Sequence, residues 1–276
     1  MRLRFTKMHG CGNDFVMIDA ISQSVKLSPE KIRFIADRHK GIGCDQLLVV
    51  EAPRRPDVDF FYRIYNQDGG EVQNCGNGAR CFAKFVRDRR LTAKKKIKVE
   101  TVNGLMTLDV QANGDISVDM GAPILNPADI PMLADSQAIK YPVQLDDKTL
   151  EIFSVSIGNP HAVILVDDID SAPLQTTGVQ LQAHAMFPEG VNVGFMQVLS
   201  RDEINLRVLE RGVGETLACG TGACAAVVAG ILCGLLDTEV KVNLPGGRLL
   251  ITWPEPGASV IKTGPATTVF HGQAYI

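Results

Sequence analysis

One stretch of this sequence occurs twice, and that duplication constrains the fold more than any other feature. The first copy is Tyr62–Cys81 and the second is Leu206–Ala225. An overlay without gaps gives an offset of 219 − 75 = 144, slightly more than half of the 276 residues. An internal repeat of this size indicates one structural unit made twice. The matched pairs are Arg63/Arg207, Gly70/Gly214, Glu71/Glu215, Cys75/Cys219, Gly76/Gly220, Gly78/Gly222 and Ala79/Ala223.

The repeat extends beyond this motif and predicts two domains. The strand patterns after the two cysteines correspond at an offset of 143 (264 − 121), so the second copy of the unit begins near 121 and ends near 264. We therefore expect an N-terminal domain over 1–120 and a C-terminal domain over 121–264. The remaining segment, 265–276, is expected to return to the first domain as an extra strand.

Predicted strands outnumber predicted helices, which indicates an α/β (α+β) fold. Ala223–Leu236 is apolar on all sides, and a helix of that kind has to be enclosed. Each pseudo-symmetric domain is therefore expected to be a mostly antiparallel, curled sheet around a central apolar helix. Shorter signals predict a helix that starts at Ser28-Pro29, a helix over Ala79–Val86 and a hairpin at Asn103-Gly104.

Composition and charge exclude several classes of function. A net charge of −3 and 21% charged residues give no indication of a nucleic-acid or membrane partner. The basic stretch over 87–96 has no interleaved aromatic residues and is interpreted as an exposed loop. Seven cysteines without a CxxC pair favour neither disulfides nor a metal site. With no apolar segment at the N-terminus, we expect a cytoplasmic protein.

The two matched cysteines, Cys75 and Cys219, carry the strongest chemical signal. Each precedes Gly-x-Gly-Ala and an apolar run, which places it at the start of a helix. A helix N-terminus has unpaired N–H groups and a partial positive charge, so it is expected to stabilise a thiolate. Two such cysteines facing each other are suited to moving a proton off one face of a carbon and onto the other. That chemistry is a racemisation or epimerisation without a cofactor.

Five ordered motifs also support a resemblance that covers almost the whole chain. They are GNDF from Gly12, NCGNGARC from Asn74, GNPH from Gly158, ERGVGET from Glu210 and ACGTGA from Ala218. In this order they resemble the diaminopimelate epimerase family. The resemblance implies two pseudo-symmetric domains with the active site between them, no cofactor, and a homodimer. It also implies interconversion of LL- and meso-diaminopimelate for lysine and peptidoglycan synthesis.

The resemblance further implies roles for individual residues. Cys75 and Cys219 are implied to be the acid/base pair, and Gly76, Asn77, Gly220 and Thr221 are implied to bind an anion at the helix starts. The positions implied to bind substrate are Asn13, Gln46, Asn66, Asn159, Asn192, Glu210 and Arg211. Arg211 suits a distal carboxylate and Glu210 an ammonium group. His161 is interpreted either as a residue that orients the site or as part of a turn.

Three other interpretations stay open on the sequence alone. The first is a proline or hydroxyproline racemase-type isomerase, which would not need Arg211. The second is a dinucleotide-binding oxidoreductase, since Gly220–Ala225 fits GxGxxA; it leaves the duplication unexplained. The third is a non-catalytic amino-acid-binding module. Cys11 and Cys44 depart from the family pattern, and we expect these extra thiols to increase sensitivity to oxidation.

Overall fold

The computed structural model describes residues 2–72, 76–102, 104–146 and 148–276. The chain divides into two compact units. Unit 1 contains the residues up to Asp119 together with Thr263–Ile276, and unit 2 is Met120–Lys262. Cys75, the cysteine of the first motif copy, lies outside the described residues. The hairpin residue Asn103 does so as well.

The described residues of unit 1 form helices α1 and α2 and a mixed set of strands. Its elements are β1 (Arg2–Gly10), β2 (Asn13–Asp19), α1 (Pro29–Ala36), β3 (Gln46–Glu51), β4 (Phe60–Asn66), β5 (Glu71–Val72), α2 (Gly76–Asp88), β6 (Lys96–Thr101), β7 (Gly104–Val110) and β8 (Ile116–Asp119). A late strand, β18 (Thr267–Tyr275), completes this unit.

Unit 2 is also built mainly from strands. Its elements are a 3-10 turn at Pro127–Asp129, β9 (Tyr141–Gln144), β10 (Thr149–Ser156), β11 (Pro160–Leu165), a π-turn at Leu174–Gly178, α3 (Val179–Gln182), β12 (Asn192–Ser200), β13 (Glu203–Glu210), β14 (Gly214–Thr216), α4 (Gly220–Leu232), β15 (Glu239–Leu244) and β16 (Gly247–Thr252). Two strands follow: β17 (Ile261–Gly264), which crosses the chain position where unit 2 ends, and β18 (Thr267–Tyr275) in unit 1.

Helix α1 forms where the sequence predicts a helix start. The Ser28 side chain accepts a hydrogen bond from the backbone N–H of Lys31, and Pro29 occupies the first turn. Both features stabilise a helix N-terminus, where backbone donors have no partner inside the helix. Ile32 and Ile35 point into the core of unit 1 beside Leu47.

Helix α4 is the central element of unit 2. It packs against β10, β11, β12, β13 and β16, and nearly all of its residues are buried. The apolar sequence continues to Leu236, but the helix ends at Leu232. Gly234 has φ +70° and stands just beyond the Cys233 cap, and the N–H of Leu235 bonds back to the Gly230 carbonyl. A glycine in the left-handed region is a common way to end a helix, so the observed helix is shorter than the apolar run.

The two units repeat one pairing pattern. In unit 1, β1–β2 is antiparallel, β2–β3 parallel, β3–β4 antiparallel and β4–β6 parallel. In unit 2, β10–β11, β11–β12, β12–β13 and β13–β15 follow the same sequence of directions. The antiparallel hairpins β6–β7 and β15–β16 extend it. The mixed, mostly antiparallel α+β fold and the pseudo-symmetry predicted from the sequence are confirmed.

The remaining strands show how the units differ at one side of the repeat. In unit 2, β9 pairs antiparallel with β10. The corresponding neighbour of β1 in unit 1 is β18, which comes from the C-terminal end of the chain. The last segment of the sequence therefore supplies unit 1 with the strand that unit 2 takes from its own start.

Candidate active site

Cys219 stands at the start of the buried helix α4. It is the N-cap residue, and its Sγ accepts a hydrogen bond from the backbone N–H of Gly222 at 3.3 Å. A Cβ added at Gly222 would lie 3.2 Å from that sulfur, so the glycine allows the thiol to sit close to the helix backbone. The sequence prediction of a cysteine at a helix N-terminus is therefore confirmed for the second copy. Cys75 lies outside the described residues, so the same expectation for the first copy stays a prediction. Helix α2 begins at Gly76.

The expected thiolate character of Cys219 is not what the structure gives. Burial raises the pKa of the Cys219 thiol to about 12, and the neighbouring Glu210 carboxylate acts in the same direction. Hydrogen bonds from Thr221 and the Gly222 N–H lower the pKa, but they do not outweigh burial. The prediction from the helix N-terminus alone was wrong for this cysteine, because desolvation opposes the charged form. Cys219 is thus held as a thiol, ready to donate a proton.

Glu210 lies beside the thiol at the end of β13. Its carboxylate hydrogen-bonds to Cys219 and accepts a hydrogen bond from the Thr216 hydroxyl. Burial raises the pKa of Glu210, while these two hydrogen bonds lower it. A carboxylate in contact with a thiol is a proton acceptor within reach of it. Thr216, which sets the orientation of Glu210, was not predicted as a site residue.

His161 connects β11 to the start of α4. Its Nε2 lies 3.0 Å from Thr221 Oγ1 and 3.2 Å from Asn159 Oδ1. Thr221 Oγ1 is in turn 3.6 Å from Cys219 Sγ. The imidazole is almost completely buried, and burial lowers the pKa of His161 to about 3, with the Arg211 charge acting in the same direction. His161 is therefore neutral, and of the two interpretations of the sequence these contacts support the orienting one.

Asn192 and Arg211 are joined by a hydrogen bond at the ends of β12 and β13. Asn192 Oδ1 accepts from the Arg211 backbone N–H at 2.8 Å, and its Nδ2 donates to the Pro160 carbonyl at 3.1 Å. The Arg211 guanidinium donates to the carbonyls of Glu189 and Gly190. A Cβ at Gly190 would meet Arg211 Cδ at 2.9 Å, and Gly190 has φ +72°, so only glycine fits there. Unit 2 thus brings Asn159, His161, Asn192, Glu210, Arg211, Cys219, Gly220 and Thr221 into connected positions.

Unit 1 holds its predicted site residues through a chain of oriented amides. Asp45 accepts from Asn13 Nδ2 at 2.8 Å, and Asn77 Nδ2 lies 3.4 Å from Asn13 Oδ1. Arg80 donates to Asn77 Oδ1 at 3.0 Å. A carboxylate only accepts and a guanidinium only donates, so the charged groups at the two ends fix the orientation of both amides. Asp45 and Arg80 were missed from the sequence, because the pairing depends on the fold.

A second amide pair lies on neighbouring strands of unit 1. Gln46 Nε2 donates to Asn66 Oδ1 at 2.9 Å, and the two residues are directly paired across β3 and β4. The extra thiols of this unit are sheltered. Cys11 and Cys44 are buried, and burial raises the pKa of Cys44 to about 12. Because the thiolate is the oxidisable form, these findings do not support the expected sensitivity of Cys44.

Comparison with known proteins decides the family. The model of the diaminopimelate epimerase family matches residues 5–125 and 153–269. A diaminopimelate epimerase from Teredinibacter turnerae is 62% identical over 273 residues, which is 99% of both chains. The chain belongs to the diaminopimelate epimerase family. Diaminopimelate epimerases from Pseudomonas entomophila and Pseudomonas fluorescens are 57% and 58% identical over the same lengths.

More distant solved structures share the fold of this diaminopimelate epimerase family member. A phenazine biosynthesis protein of the PhzF family from Bacillus anthracis has a TM-score of 0.71 at 17% identity and covers 100% of both chains. A hydroxyproline epimerase from Agrobacterium vitis has a TM-score of 0.68 at 13% identity, over 99% of this chain and 92% of its own. At these identities the likeness concerns the fold alone.

No group of three His, Cys, Asp or Glu side chains in the described ranges is arranged to hold a metal ion. Within the same ranges, none of the helices has the length and apolar character needed to cross a membrane.

Proposed function

We propose that this protein is an amino-acid isomerase that interconverts LL- and meso-diaminopimelate by a two-base mechanism without a cofactor. Cys75 and Cys219 are the proposed acid and base. The observation that carries the proposal is the buried Cys219 thiol at the start of α4, in contact with the Glu210 carboxylate. Relatives that are 62% and 58% identical over 99% of the chain are named diaminopimelate epimerase, which supports the choice of substrate.

In the proposed reaction one cysteine, as thiolate, takes the proton from the α-carbon of the substrate. The electron pair left on that carbon is delocalised into the adjacent carboxylate. The other cysteine, as thiol, then delivers its proton to the opposite face of the same carbon. The configuration is inverted, and the two cysteines have exchanged protonation states. The raised pKa of Cys219 suits it to the donating role in one direction; in the reverse direction Cys219, left as the thiolate, takes the proton from the α-carbon and Cys75 donates.

The carboxylate beside the reacting carbon gains negative charge during proton transfer. We propose that backbone N–H groups at the helix starts, at Gly76 and Asn77 in unit 1 and at Gly220 and Thr221 in unit 2, stabilise it. Donors aimed at developing charge lower the barrier most when they are fixed in advance. The hydrogen bond between Thr221 and neutral His161 supports this arrangement, because it holds one of these residues in place.

The rest of the substrate carries a second carboxylate and two ammonium groups. Arg211 is the proposed partner of the distal carboxylate, since a planar guanidinium offers two parallel donors. Carbonyl oxygens of the amide residues and the Glu210 carboxylate suit the ammonium groups. The proposed substrate-contacting amides are Asn13, Gln46, Asn66, Asn159 and Asn192.

We further propose that the protein is a homodimer and that it acts in the cytoplasm. Its proposed role there is in the synthesis of lysine and peptidoglycan precursors. Strand β18 supports a self-association surface. Its residues Val269, Phe270 and Tyr275 are 55%, 46% and 79% exposed. Exposed apolar side chains of this kind, here near both ends of one strand, are typical of a surface that a partner covers. Analytical ultracentrifugation of the wild type and of Tyr275→Lys tests the dimer.

The reaction itself is tested by incubating the dialysed protein with LL-diaminopimelate in deuterated water, with no added cofactor. We expect meso-product with deuterium at the inverted α-carbon. Proline and trans-4-hydroxyproline in parallel reactions test the racemase alternative. Turnover of proline in place of diaminopimelate would reject the proposed substrate, and a strict need for an added cofactor would reject the two-base chemistry.

A further inference from the structure

Each copy of the duplicated motif contains an arginine and a glutamate, eight residues apart, that form an ion pair with two contacts. In unit 1, Arg63 Nε and Nη2 lie 2.7 and 2.6 Å from the two carboxylate oxygens of Glu71. In unit 2, Arg207 Nε and Nη2 lie 2.7 and 3.0 Å from those of Glu215. The same atoms make the same contacts in both units. Two parallel bonds fix the relative orientation of the two groups as well as their distance.

The strand pairing explains why the two residues meet. Glu71 pairs with Tyr65 across β4 and β5, and Glu215 pairs with Leu209 across β13 and β14. Each arginine stands two residues before that strand partner and thus on the same face, from which it reaches the glutamate diagonally. The strands β5 and β14 are only two and three residues long. With so few backbone bonds, these strands depend on side-chain contacts to stay in place.

A third contact restrains each arginine. Arg207 Nη1 donates to the Ile169 carbonyl at 3.1 Å, and the Arg63 guanidinium lies 5.2 Å from the centre of the Tyr65 ring. The four charged side chains of the two pairs are between 26% and 34% exposed. Exposed ion pairs contribute little to stability, but a two-contact pair that is mostly covered has a defined geometry. This makes the pairs suited to setting a position rather than to stabilising the fold.

In unit 2 a continuous set of contacts leads from the ion pair to the thiol. Glu215 is followed in β14 by Thr216, whose hydroxyl donates to Glu210. Glu210 in turn hydrogen-bonds to Cys219. The chain from Glu215 to Cys219 is four residues long, and the first copy has the same spacing between glutamate and cysteine. A displaced β14 would therefore move both the cysteine-bearing turn and the carboxylate beside it.

We propose that Arg207–Glu215 is a positioning pair that holds the turn carrying Cys219 where proton transfer requires it, and that Arg63–Glu71 holds β5 in the corresponding place against β4. The inference rests on the proposed function, because it assigns Arg207 and Glu215 to the placement of an acid/base group. The four residues act through β5 and β14 and not by touching substrate. The same ion-pair geometry occurs in both units, so each of the two short strands has its own side-chain support.

The test compares Glu215→Gln with a matched control, Asp237→Asn. Asp237 forms an ion pair with Arg201 in the same unit, at 2.8 Å, with both side chains more than half exposed. Four quantities are measured for each variant: kcat and KM for LL-diaminopimelate, the melting temperature, and the rate of Cys219 alkylation by iodoacetamide between pH 7 and 10, mapped by peptide. The alkylation profile needs no substrate, so it reports on the turn independently of the reaction.

We expect Glu215→Gln to lower kcat by about ten- to a hundredfold, as a misplacement of about 1 Å does, with a smaller change in KM. Its Cys219 alkylation profile is expected to shift, and Asp237→Asn is expected to match the wild type in both measurements. The exchanged pair, Arg207→Glu with Glu215→Arg, is expected to recover part of kcat. Glu71→Gln in unit 1 is expected to lower kcat in the same way.

A folded Glu215→Gln protein with the wild-type kcat and alkylation profile overturns the inference, as does an equal loss in Asp237→Asn. If Glu215→Gln does not fold, Arg207→Lys takes its place, because it keeps the charge and loses the two-contact geometry. If the wild type does not act on diaminopimelate but Glu215→Gln alone shifts the Cys219 profile, the proposed function fails and the positioning role stands.

Discussion

The two copies of the motif share their backbone pattern and differ in the charges placed around it. At the offset of 144, Glu210 in unit 2 corresponds to Asn66 in unit 1, since 210 − 144 = 66. Arg80 in unit 1 corresponds to Cys224 in unit 2, since 224 − 144 = 80. One copy therefore carries a carboxylate where the other carries a neutral amide. The first copy carries a buried guanidinium where the second carries a thiol.

The structure shows what these exchanges do locally. Glu210 contacts Cys219 and raises its pKa. Arg80 is fully buried in α2, and its described hydrogen bonds reach neutral groups: the Asn77 amide, the Pro265 carbonyl and the Cys11 thiol. The Arg–Glu ion pairs, by contrast, are the same in both copies. The comparison indicates that the two copies share the ion pairs on their short strands and differ in the electrostatics next to them.

The strongest test of this comparison is to remove the thiols of Cys75 and Cys219 one at a time, in two separate variants. Cys75→Ala and Cys219→Ala are each expected to lower kcat by about 10²–10⁴-fold, because each removes one group that transfers a proton. The measurement is epimerisation of LL-diaminopimelate by chiral chromatography, with circular dichroism to show that the variants fold. Cys224→Ala is the control, because Cys224 is buried in α4, the helix that Cys219 caps. Near wild-type activity in either variant would show that only one copy is catalytic.

A second test concerns a charge that only one copy has. Arg211 corresponds to Gln67 in unit 1, since 211 − 144 = 67. Arg211→Lys keeps the charge but loses the planar, two-donor geometry. The lost interaction is expected to cost roughly 1.5–3 kcal/mol, so kcat/KM for diaminopimelate is expected to fall by about ten- to a hundredfold. Arg201→Lys, on the surface of the same unit, is the control. An unchanged kcat/KM in Arg211→Lys would mean that other groups bind the distal carboxylate.

Local sequence rules predicted the repeated architecture well because each signal is local. The Ser28 cap, the hairpin pattern and the apolar run from Ala223 all depend on neighbours in sequence, and the elements form there. Boundaries were less accurate. The helix predicted over Ala79–Val86 is longer, Gly76–Asp88, because the glycines that precede it join its first turn.

The grouping of the candidate residues around Cys219 was predicted from motifs, but their electrostatics were not. The residues around Cys219 were named from motifs, and the structure places them in connected positions. The helix rule gave the wrong direction for the Cys219 pKa, because burial and the Glu210 contact arise only after β13 and α4 pack together. Thr216 and Asp45 were missed for the same reason: their roles are contacts to Glu210 and Asn13 that the sequence does not display. The positions of Arg207 and Glu215 did match in the overlay, which was a usable signal.

A third difference between the copies is a buried histidine. His161 follows Asn159 as Phe15 follows Asn13, so only unit 2 carries an ionisable group there. The pKa of His161 is lowered from 6.5 to about 3, mainly by burial. The unfolded chain therefore binds a proton that the folded chain excludes. The free energy of unfolding therefore has its full value above about pH 6.5, where His161 is neutral in both states. As the pH falls from there toward about 3, it decreases by about 1.4 kcal/mol per pH unit.

Tryptophan fluorescence can follow this effect in unit 2, because the single tryptophan, Trp253, is buried there. Urea unfolding at pH 7.5, 6.0 and 5.0 is expected to show falling stability in the wild type. His161→Gln is expected to flatten the dependence, whereas His39→Gln, on the surface of unit 1, is expected to leave it unchanged. A wild-type stability that is constant over this range would show that His161 takes up its proton without unfolding.

The smallest expected effect tests the electrostatic difference itself. Glu210→Gln places a neutral amide where the first copy has Asn66, and so makes the two motifs more alike. The Glu210 carboxylate raises the pKa of Cys219, so its removal is expected to lower that pKa. Burial, the larger cause, is unchanged, so the thiol is expected to stay mostly protonated at neutral pH. The expected result is an alkylation of Cys219 that is faster by a similar several-fold factor at pH 7 and at pH 9, because well below the pKa the thiolate fraction rises by the same factor at each pH. Cys233, which is partly exposed at the far end of α4, is the internal control in the same peptide map.

If Cys219 reacts no faster in Glu210→Gln while Cys233 is unchanged, then burial alone sets the acidity of this thiol. The divergence between Glu210 and Asn66 would then concern substrate binding and not proton transfer.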